Sequence, residues 1–414
     1  VAPTPRLAYV IAAVGLAAII LPFPIIVAAV AAALAVGALD AWLSRDIPQL
    51  TRRVPTILSR AVPSPIQIAP VKTSRRIQVR QPTPPDISVQ PPEQGGGLGG
   101  TILAVRRGHH VLPRVAVRSS GPIRLGQSLH RVGDELSISV FPDMVAAQRI
   151  AAQVRTGTFA LEGRQRRGPI GLGTEFESIR AYVPGDDVRQ VNWAATGRSA
   201  EPMVNQWRLE QDRDVVCVID AGRLMGAPIG DRTRMDVAVD AAAAVASVAD
   251  VVGDRSGVVA FRDQILRDLP SRHRGGADVA EAIFDLEAEH VESDYLLAFQ
   301  HVAARKRALV IVLTDILEEA AARPLVEAMP ILARHHSVVV ASPEDPDVTR
   351  AVQSADEGLE GAARAVIALD VLAARRRAGL EIRRLGAHVV ECPWDRFSIE
   401  VVGAYLRAKA LARF

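Results

Sequence analysis

Side chains able to do chemistry gather just ahead of Asp220. Glu175, Phe176, Arg180, Tyr182, Gly185, Asp186, Asp187, Arg189, Trp193 and Arg198 lie in one short stretch, folded around a Pro184-Gly185 turn. Two neighbouring carboxylates such as Asp186 and Asp187 can split their pKa values and serve as acid and base. With Arg180, Arg189 and Arg198 around them both are expected to stay ionised, which suits a fixed fork of guanidinium on carboxylate better than proton transfer. Phe176, Tyr182 and Trp193 would then be apolar anchors, and the stretch is expected to be a strut, a docking epitope being the other use.

A second set is smaller. Asp220 follows the apolar run 215–219, and Asp315 follows 309–314. Ligands of a parallel sheet collect beyond the carboxyl ends of its strands, so both carboxylates are expected at one crevice. Two carboxylates with hydroxyls and water would suit a hard cation such as Mg²⁺. Other reaction centres are missing from the sequence: there is no Gly-x-Ser-x-Gly elbow, no His-Glu-x-x-His helix and no P-loop lysine. His109-His110 and His335-His336 are adjacent pairs whose rings face different ways. Cys217 and Cys392 sit in or beside apolar runs and read as buried, inert thiols. The expectation is a non-enzyme. The alternative is an Mg²⁺- or Mn²⁺-dependent hydrolase or nuclease built on Asp220, Asp315 and the Asp186-Asp187 pair.

These residues need a scaffold. After residue 213, short apolar runs at 215–219, 257–261, 309–314, 337–341 and 388–391 alternate with helical stretches at 235–252, 277–289, 295–305, 321–334, 361–385 and 397–412. That rhythm predicts right-handed crossovers and a doubly wound, mostly parallel α/β sheet. Earlier, β-branched runs at 66–71, 76–80, 87–90, 101–106, 111–118, 123–129 and 136–141, spaced by Pro, Gly and Ser, predict a small β-sandwich. The Gly-rich 95–100 segment opens a strand and has no Lys-Ser/Thr sequel, so it reads as a turn. Residues 143–154 read as a short helix, and the basic 163–168 loop as a solvated connector with anionic lipid as a secondary contact.

No charged residue occurs from Leu7 to Leu39, and Pro22 and Pro24 divide that run. A membrane hairpin is expected, 7–21 up and 25–42 back, with a re-entrant form as the variant. Arg6 before it and Arg45, Arg52, Arg53 and Arg60 after it predict cytoplasmic ends, and so an inner-membrane protein with its bulk in the cytoplasm. A secretory signal with small residues at 33–38 competes. The chain has 414 residues, 49% of them apolar, and a net charge of +3, which gives no electrostatic case for nucleic acid. The expected organisation is a hairpin at 1–45, a sandwich at 50–142, a connector at 143–213 and an α/β domain at 214–414.

The letters GTEFESIRAYVPGDDVRQVNWAATGRS, with Arg208 to Arg213 beyond them, closely resemble the signature of the domain of unknown function 58 family. The resemblance implies a von Willebrand factor A-like (Rossmann-like) domain after the signature and an immunoglobulin-like segment before it. It also implies a MoxR-type AAA+ ATPase as partner, in assembly or remodelling of envelope proteins. The A-like cation site reads Asp-x-Ser-x-Ser after the first strand, a Thr in a Gly-Gly-Thr loop and an Asp after the fourth strand. Here Gly222 and Leu224 replace the serines and Ala277 the threonine, leaving Asp220 and Asp315. A degenerate site is therefore expected, with no cofactor, weak Mg²⁺ at most, and Arg223 as a neutralising charge. An extracytoplasmic adhesion-like module would need the hairpin inverted.

Overall fold

Alternation of β-branched and polar residues sets the first strands: in Arg76–Arg80, Ile77 and Val79 are buried while Arg76, Gln78 and Arg80 face out. The computed structural model describes residues 2–19, 21–72, 76–159, 175–183, 186, 188, 191–199, 201–208, 212–316, 319–356 and 358–411. The chain divides into two units, Val1–Phe141 and Pro142–Phe414.

The first unit is a β structure with an apolar helix pair. Its strands form sheets of five, four and three. Ile66, Ile68, Val79, Leu98, Ile102 and Ile138 are among the side chains of its core. The single strand predicted over 111–118 is two, Gly108–Leu112 and Val115–Ser120, because Pro113 between them has no N–H to give a ladder. Helices α1 (Pro5–Leu16) and α2 (Phe23–Leu43) follow the short strand Ala2–Pro3 and precede all the others. Pro22 and Pro24 stand at the start of α2, where the first-turn N–H groups have no intrahelical partner to lose. Among the described residues, only α2 is long and apolar enough to cross a membrane, so the two spanning arms expected from the sequence are not supported.

In the second unit, α3 (Met144–Arg155) leads to a two-stranded hairpin of Glu175–Ala181 and Met203–Arg208, with α4 (Trp193–Ser199) between the strands. Then come α5 (Arg234–Val252), α6 (Gly276–Ile283), α7 (Tyr295–Ala303), α8 (Glu319–Ala333), α9 (Pro346–Gln353), α10 (Gly358–Arg384) and α11 (Phe397–Ala410). They surround a six-stranded sheet in the order Ile265–His273, Arg255–Phe261, Asp214–Asp220, Leu309–Leu313, Ser337–Glu344, His388–Pro393. All neighbours are parallel except the Ile265–His273 edge. That edge strand went unread in the sequence because its charges and Pro270 disguise it.

Alternate residues of each strand feed two cores. Cys217, Ile219, Ile311 and Ala341 pack with α3, α5, α6 and α11 on one face. Val216, Val218, Val310 and Val340 pack with α7, α8 and the end of α10 on the other. The doubly wound α/β arrangement follows from strands buried on both sides.

Candidate functional site

Strand register places the ends of the two central strands side by side, with Ile219 opposite Leu313, so Asp220 and Thr314 emerge together and Asp315 follows. All three are within 2% of full burial. A buried carboxylate must be matched by donors, and Asp220 has four. Its Oδ1 accepts from the Gly222 N–H (2.8 Å) and from Ser293 Oγ. Its Oδ2 accepts from Tyr295 Oη and Thr314 Oγ1, both at 2.7 Å. Tyr295 is fixed edge-on between Phe261 and Phe299, with centroids 5.4 and 5.9 Å away. Burial first, and then the Asp220 charge, raise its hydroxyl well above the ordinary tyrosine value.

Gly222 explains where a hydroxyl comes from. A Cβ at this position would collide with Ser293 Oγ. The oxygen that a serine at 222 would supply reaches Asp220 instead from the loop before α7.

Asp315 is held by a cation that the chain carries itself. Arg234, the first residue of α5 and 4% exposed, pairs through Nη1 with Asp315 and through Nη2 with Asp345 at 2.7 Å. Thr233 and Asp236 form a capping box that fixes this helix start. Ser342 Oγ donates to Asp315 Oδ1 (3.3 Å) and accepts from Arg375 Nη2 of α10 (3.1 Å). Arg375 also reaches Glu391 at 2.8 Å and the carbonyls of Ser342 and Pro343 at 3.2 and 3.1 Å. Asp345 goes on to cap α9 through the Asp347 N–H.

Two expectations change. Arg223 does not neutralise the mouth: it pairs with Glu292 at 2.9 Å on the surface, because the turn after Gly222 turns its side chain outward. Leu224 lies in the same short 3₁₀ turn, Arg223–Gly226. Ala277 is not at the mouth at all. It begins α6 beside Gly275, whose Cβ position abuts Ser256 at the opposite end of the Arg255–Phe261 strand, whereas Asp220 pairs with Phe261. Among the described residues, no group of three His, Cys, Asp or Glu is arranged to hold a metal ion. Arg234, Ser293, Tyr295, Thr314 and Asp345 escaped sequence reasoning. The usable signals were a hydroxyl directly after an apolar strand (Thr314) and a polar loop ahead of an apolar helix (Ser293).

The signature stretch is a separate, outward-facing place. Arg180 grips Asp186 with both arms, at 2.8 and 2.7 Å, and the Val183 N–H adds a third contact at 2.8 Å. The Arg180 fork, then the Val183 N–H, hold Asp186 below the usual carboxylate range. Arg198 is not part of the fork; its Nε donates to the Ala194 carbonyl of its own helix. Glu175 and Phe176 pair with Arg208 and Trp207 in the hairpin ladder. Tyr182 is half-buried and Trp193 is 72% exposed, so the buried aromatic anchor that a strut needs is not present at Trp193. The cause is local: α4 is held to the neighbouring strand by Asn192 to Asn205 and by the Met203 N–H to Thr196, which leaves the Trp193 side uncovered. Gly185, Asp187, Arg189 and the basic 163–168 segment lie outside the described residues.

The profile of the family described as "Protein of unknown function DUF58" matches residues 178–369. The uncharacterized proteins Rv1480 of Mycobacterium tuberculosis (strain ATCC 25618 / H37Rv) and Mb1516 of Mycobacterium bovis are each 28% identical over 245 residues, 55% of this chain and 76% of the relative. Among solved structures, the chain is similar to proximal thread matrix protein 1 from the mussel byssus with a zinc-occupied MIDAS motif, at 12% identity and a TM-score of 0.29 over 49% of this chain. It spans about half (47%) of that mussel protein. An uncharacterized membrane spanning protein from Vibrio fischeri matches at 13% identity and a TM-score of 0.17, over 48% of this chain and 98% of its own.

Proposed function

We propose that this chain is a membrane-anchored, non-enzymatic interaction protein whose α/β unit is von Willebrand factor A-like with its cation place taken by an arginine. The observation that carries the reading is the saturation of the mouth: Asp220 is filled by four donors and Asp315 by Arg234. A carboxylate whose lone pairs are occupied is a poor general base and a poor ligand for a hard ion. That weighs against the alternative of an Mg²⁺- or Mn²⁺-dependent hydrolase using Asp220 and Asp315. Calorimetric titration with millimolar Mg²⁺ and Mn²⁺ should give no heat and no rise in melting temperature. A stoichiometric heat from either ion would favour the hydrolase.

In this reading the partner is a MoxR-type AAA+ ATPase acting on envelope proteins, with the bulk of the chain on the cytoplasmic face. The exposed hairpin around Arg180, Asp186 and Trp193 is the docking surface in place of a strut, a choice supported by the exposure of Trp193. Affinity capture from membranes should recover an AAA+ ATPase, identified by mass spectrometry, with the wild-type chain. Loss of that ATPase on changing Asp186 and Asp187 to Ala is the expected outcome, and undiminished recovery would remove the hairpin from the interface.

A further inference from the structure

We infer that the helix pair α1–α2 is a wedge that enters a lipid bilayer from the side on which the β-sandwich lies and ends within the hydrocarbon without crossing it. The inference rests on the membrane-anchored reading and adds the depth of insertion and the sidedness.

Both ends of the pair are built into the sandwich. Ahead of α1, residues Ala2–Pro3 pair with the Gly126–Val132 strand, and Thr4 donates to the carbonyls of Arg124 (2.6 Å) and Leu125 (3.1 Å). At the far end of α2, Asp40 is 1% exposed, and its carboxylate accepts the N–H groups of Ile123 (3.0 Å), Leu125 (2.8 Å) and Gly126 (2.9 Å). Ser44 and Ser128 bond each other at 3.1 Å and both reach the Ala41 carbonyl. Gly121 and Gly126 allow this approach, since a Cβ on either would strike Asp40 or Ala41. Asp40 therefore sits among protein donors, as a carboxylate near an apolar helix requires.

This docking shortens what lipid can receive. Gly37, Asp40, Ala41 and Ser44 belong to the sandwich contact, and Leu7 of α1 packs on Gly37. What remains of α2 beyond that contact is residues 23–36, about 21 Å at about 1.5 Å per residue, against about 30 Å of hydrocarbon. The α1 arm, fixed at Thr4, must return to the same sheet, so a crossing by one arm alone is closed off.

The protruding part is apolar around its circumference. Leu16, Ile19 and Phe23 at the tip are 70%, 85% and 79% exposed. At the base, Trp42 is 52% exposed and carries the Arg45 guanidinium over its ring at 4.4 Å. An aromatic ring with a cation upon it suits the headgroup level. The occupant is thus a bilayer whose interface lies near residues 40–45.

The test uses the full chain with Leu21→Cys or, as an independent second site, Phe23→Cys; the native Cys217 and Cys392 are buried and do not compete for label. The chain is reconstituted into phosphatidylcholine/phosphatidylglycerol vesicles, and flotation is scored before labelling. An environment-sensitive thiol probe at either site should be quenched most by lipids brominated deep in the acyl chain. Neither site should react with an impermeant maleimide added outside or trapped in the lumen. Labelling from the side opposite the sandwich would overturn the wedge while leaving the anchor. Failure to float with vesicles, with tip cysteines labelled from the buffer, would overturn the anchor and the wedge together.

Discussion

The mouth of the α/β sheet and the signature hairpin each pair an arginine with an aspartate, in opposite surroundings. Arg234 and Asp315 have side chains 4% and 0% exposed, whereas Arg180 and Asp186 stand at 43% and 19%. The hairpin fork has the better geometry, two arms on two oxygens, yet water and salt screen it. The mouth pair has left water altogether, so its value lies in what its loss would leave behind. Surface pairing closes a turn; buried pairing fixes which elements stay together, since Arg234 ties α5 to the ends of two strands and to the cap of α9.

The largest effect should therefore come from Arg234→Ala. It leaves Asp315 without its counterion and Asp345 short of one, and breaking a buried pair from one side costs about 3–5 kcal/mol. Chemical denaturation should show the midpoint falling by that amount, with much of it recovered when Asp315→Asn is added. A midpoint unchanged by Arg234→Ala would mean the guanidinium is not structural, and the comparison would collapse.

Alkaline pH separates the core of the α/β unit from the hairpin. Burial pushes Cys217 from 9.0 up to about 12. Tyr295, by burial and then Asp220, and Tyr405, by burial and then Asp254, are raised above the ordinary tyrosine value. Groups held protonated in the fold contribute stability that is whole below their unfolded pKa and lost as pH rises toward the folded one. Stability should decline above pH 9, at up to about 1.4 kcal/mol per pH unit for each group involved. Burial raises Cys392 to about 12 as well, so Cys217→Ala should lessen the decline above pH 9, and only Cys217→Ala with Cys392→Ala should move its onset up to about pH 10, the tyrosine value. Asp186, held below its ordinary value by Arg180, works the other way: its contribution is present above 3.8 and is lost as pH falls through its folded value. Being exposed, it should leave the acid limb almost unmoved in an Asp186→Asn variant. A larger acid shift than alkaline shift would reverse the ranking of the α/β core and the hairpin.

How much of this could be read beforehand follows from the same physics. Strands buried on both faces write continuous apolar runs, so 215–219, 309–314 and 337–341 were legible, and with them Asp220 and Asp315 at their ends. The edge strand Ile265–His273 and the hairpin strands Glu175–Ala181 and Met203–Arg208 carry no such run and were missed. At the mouth, a positional pattern found absences at 222, 224 and 277, but hydroxyls are interchangeable if they reach the same carboxylate. Ser293 and Thr314 do so from elsewhere in the chain, and the spacing around Asp220 carries no trace of it. Arg234 was hidden for another reason: an arginine opening a helix opposes the helix dipole and reads as a surface residue until the partners across the sheet are known. Trp193 misleads in the other direction, since its type alone suggests an anchor while its side chain stands 72% exposed.

Tyr295→Phe probes the mouth more gently. It removes one of four donors on Asp220 while keeping the ring between Phe261 and Phe299. One buried hydrogen bond to a charged acceptor is worth about 1.5–3 kcal/mol, and Thr314 Oγ1 remains on the same oxygen, so a loss of about 1–2 kcal/mol is expected. A loss as large as that of Arg234→Ala would mean that the hydroxyl cluster, and not the guanidinium, organises the mouth.

The smallest change in stability belongs to Trp193→Ala, and it is the most informative about function. A side chain 72% exposed has little burial to lose, so the denaturation midpoint should move by no more than about 0.5 kcal/mol. A large aromatic residue left open to solvent, in the same stretch as Val183 and Val188, which are 56% and 63% exposed, is the composition of a contact surface. Docking there predicts that the stable Trp193→Ala chain loses the captured ATPase, while Arg234→Ala, assayed at a temperature where it remains folded, keeps it. A midpoint shift of several kcal/mol for Trp193→Ala would instead restore the strut, because only a residue covered in solution can cost that much when truncated.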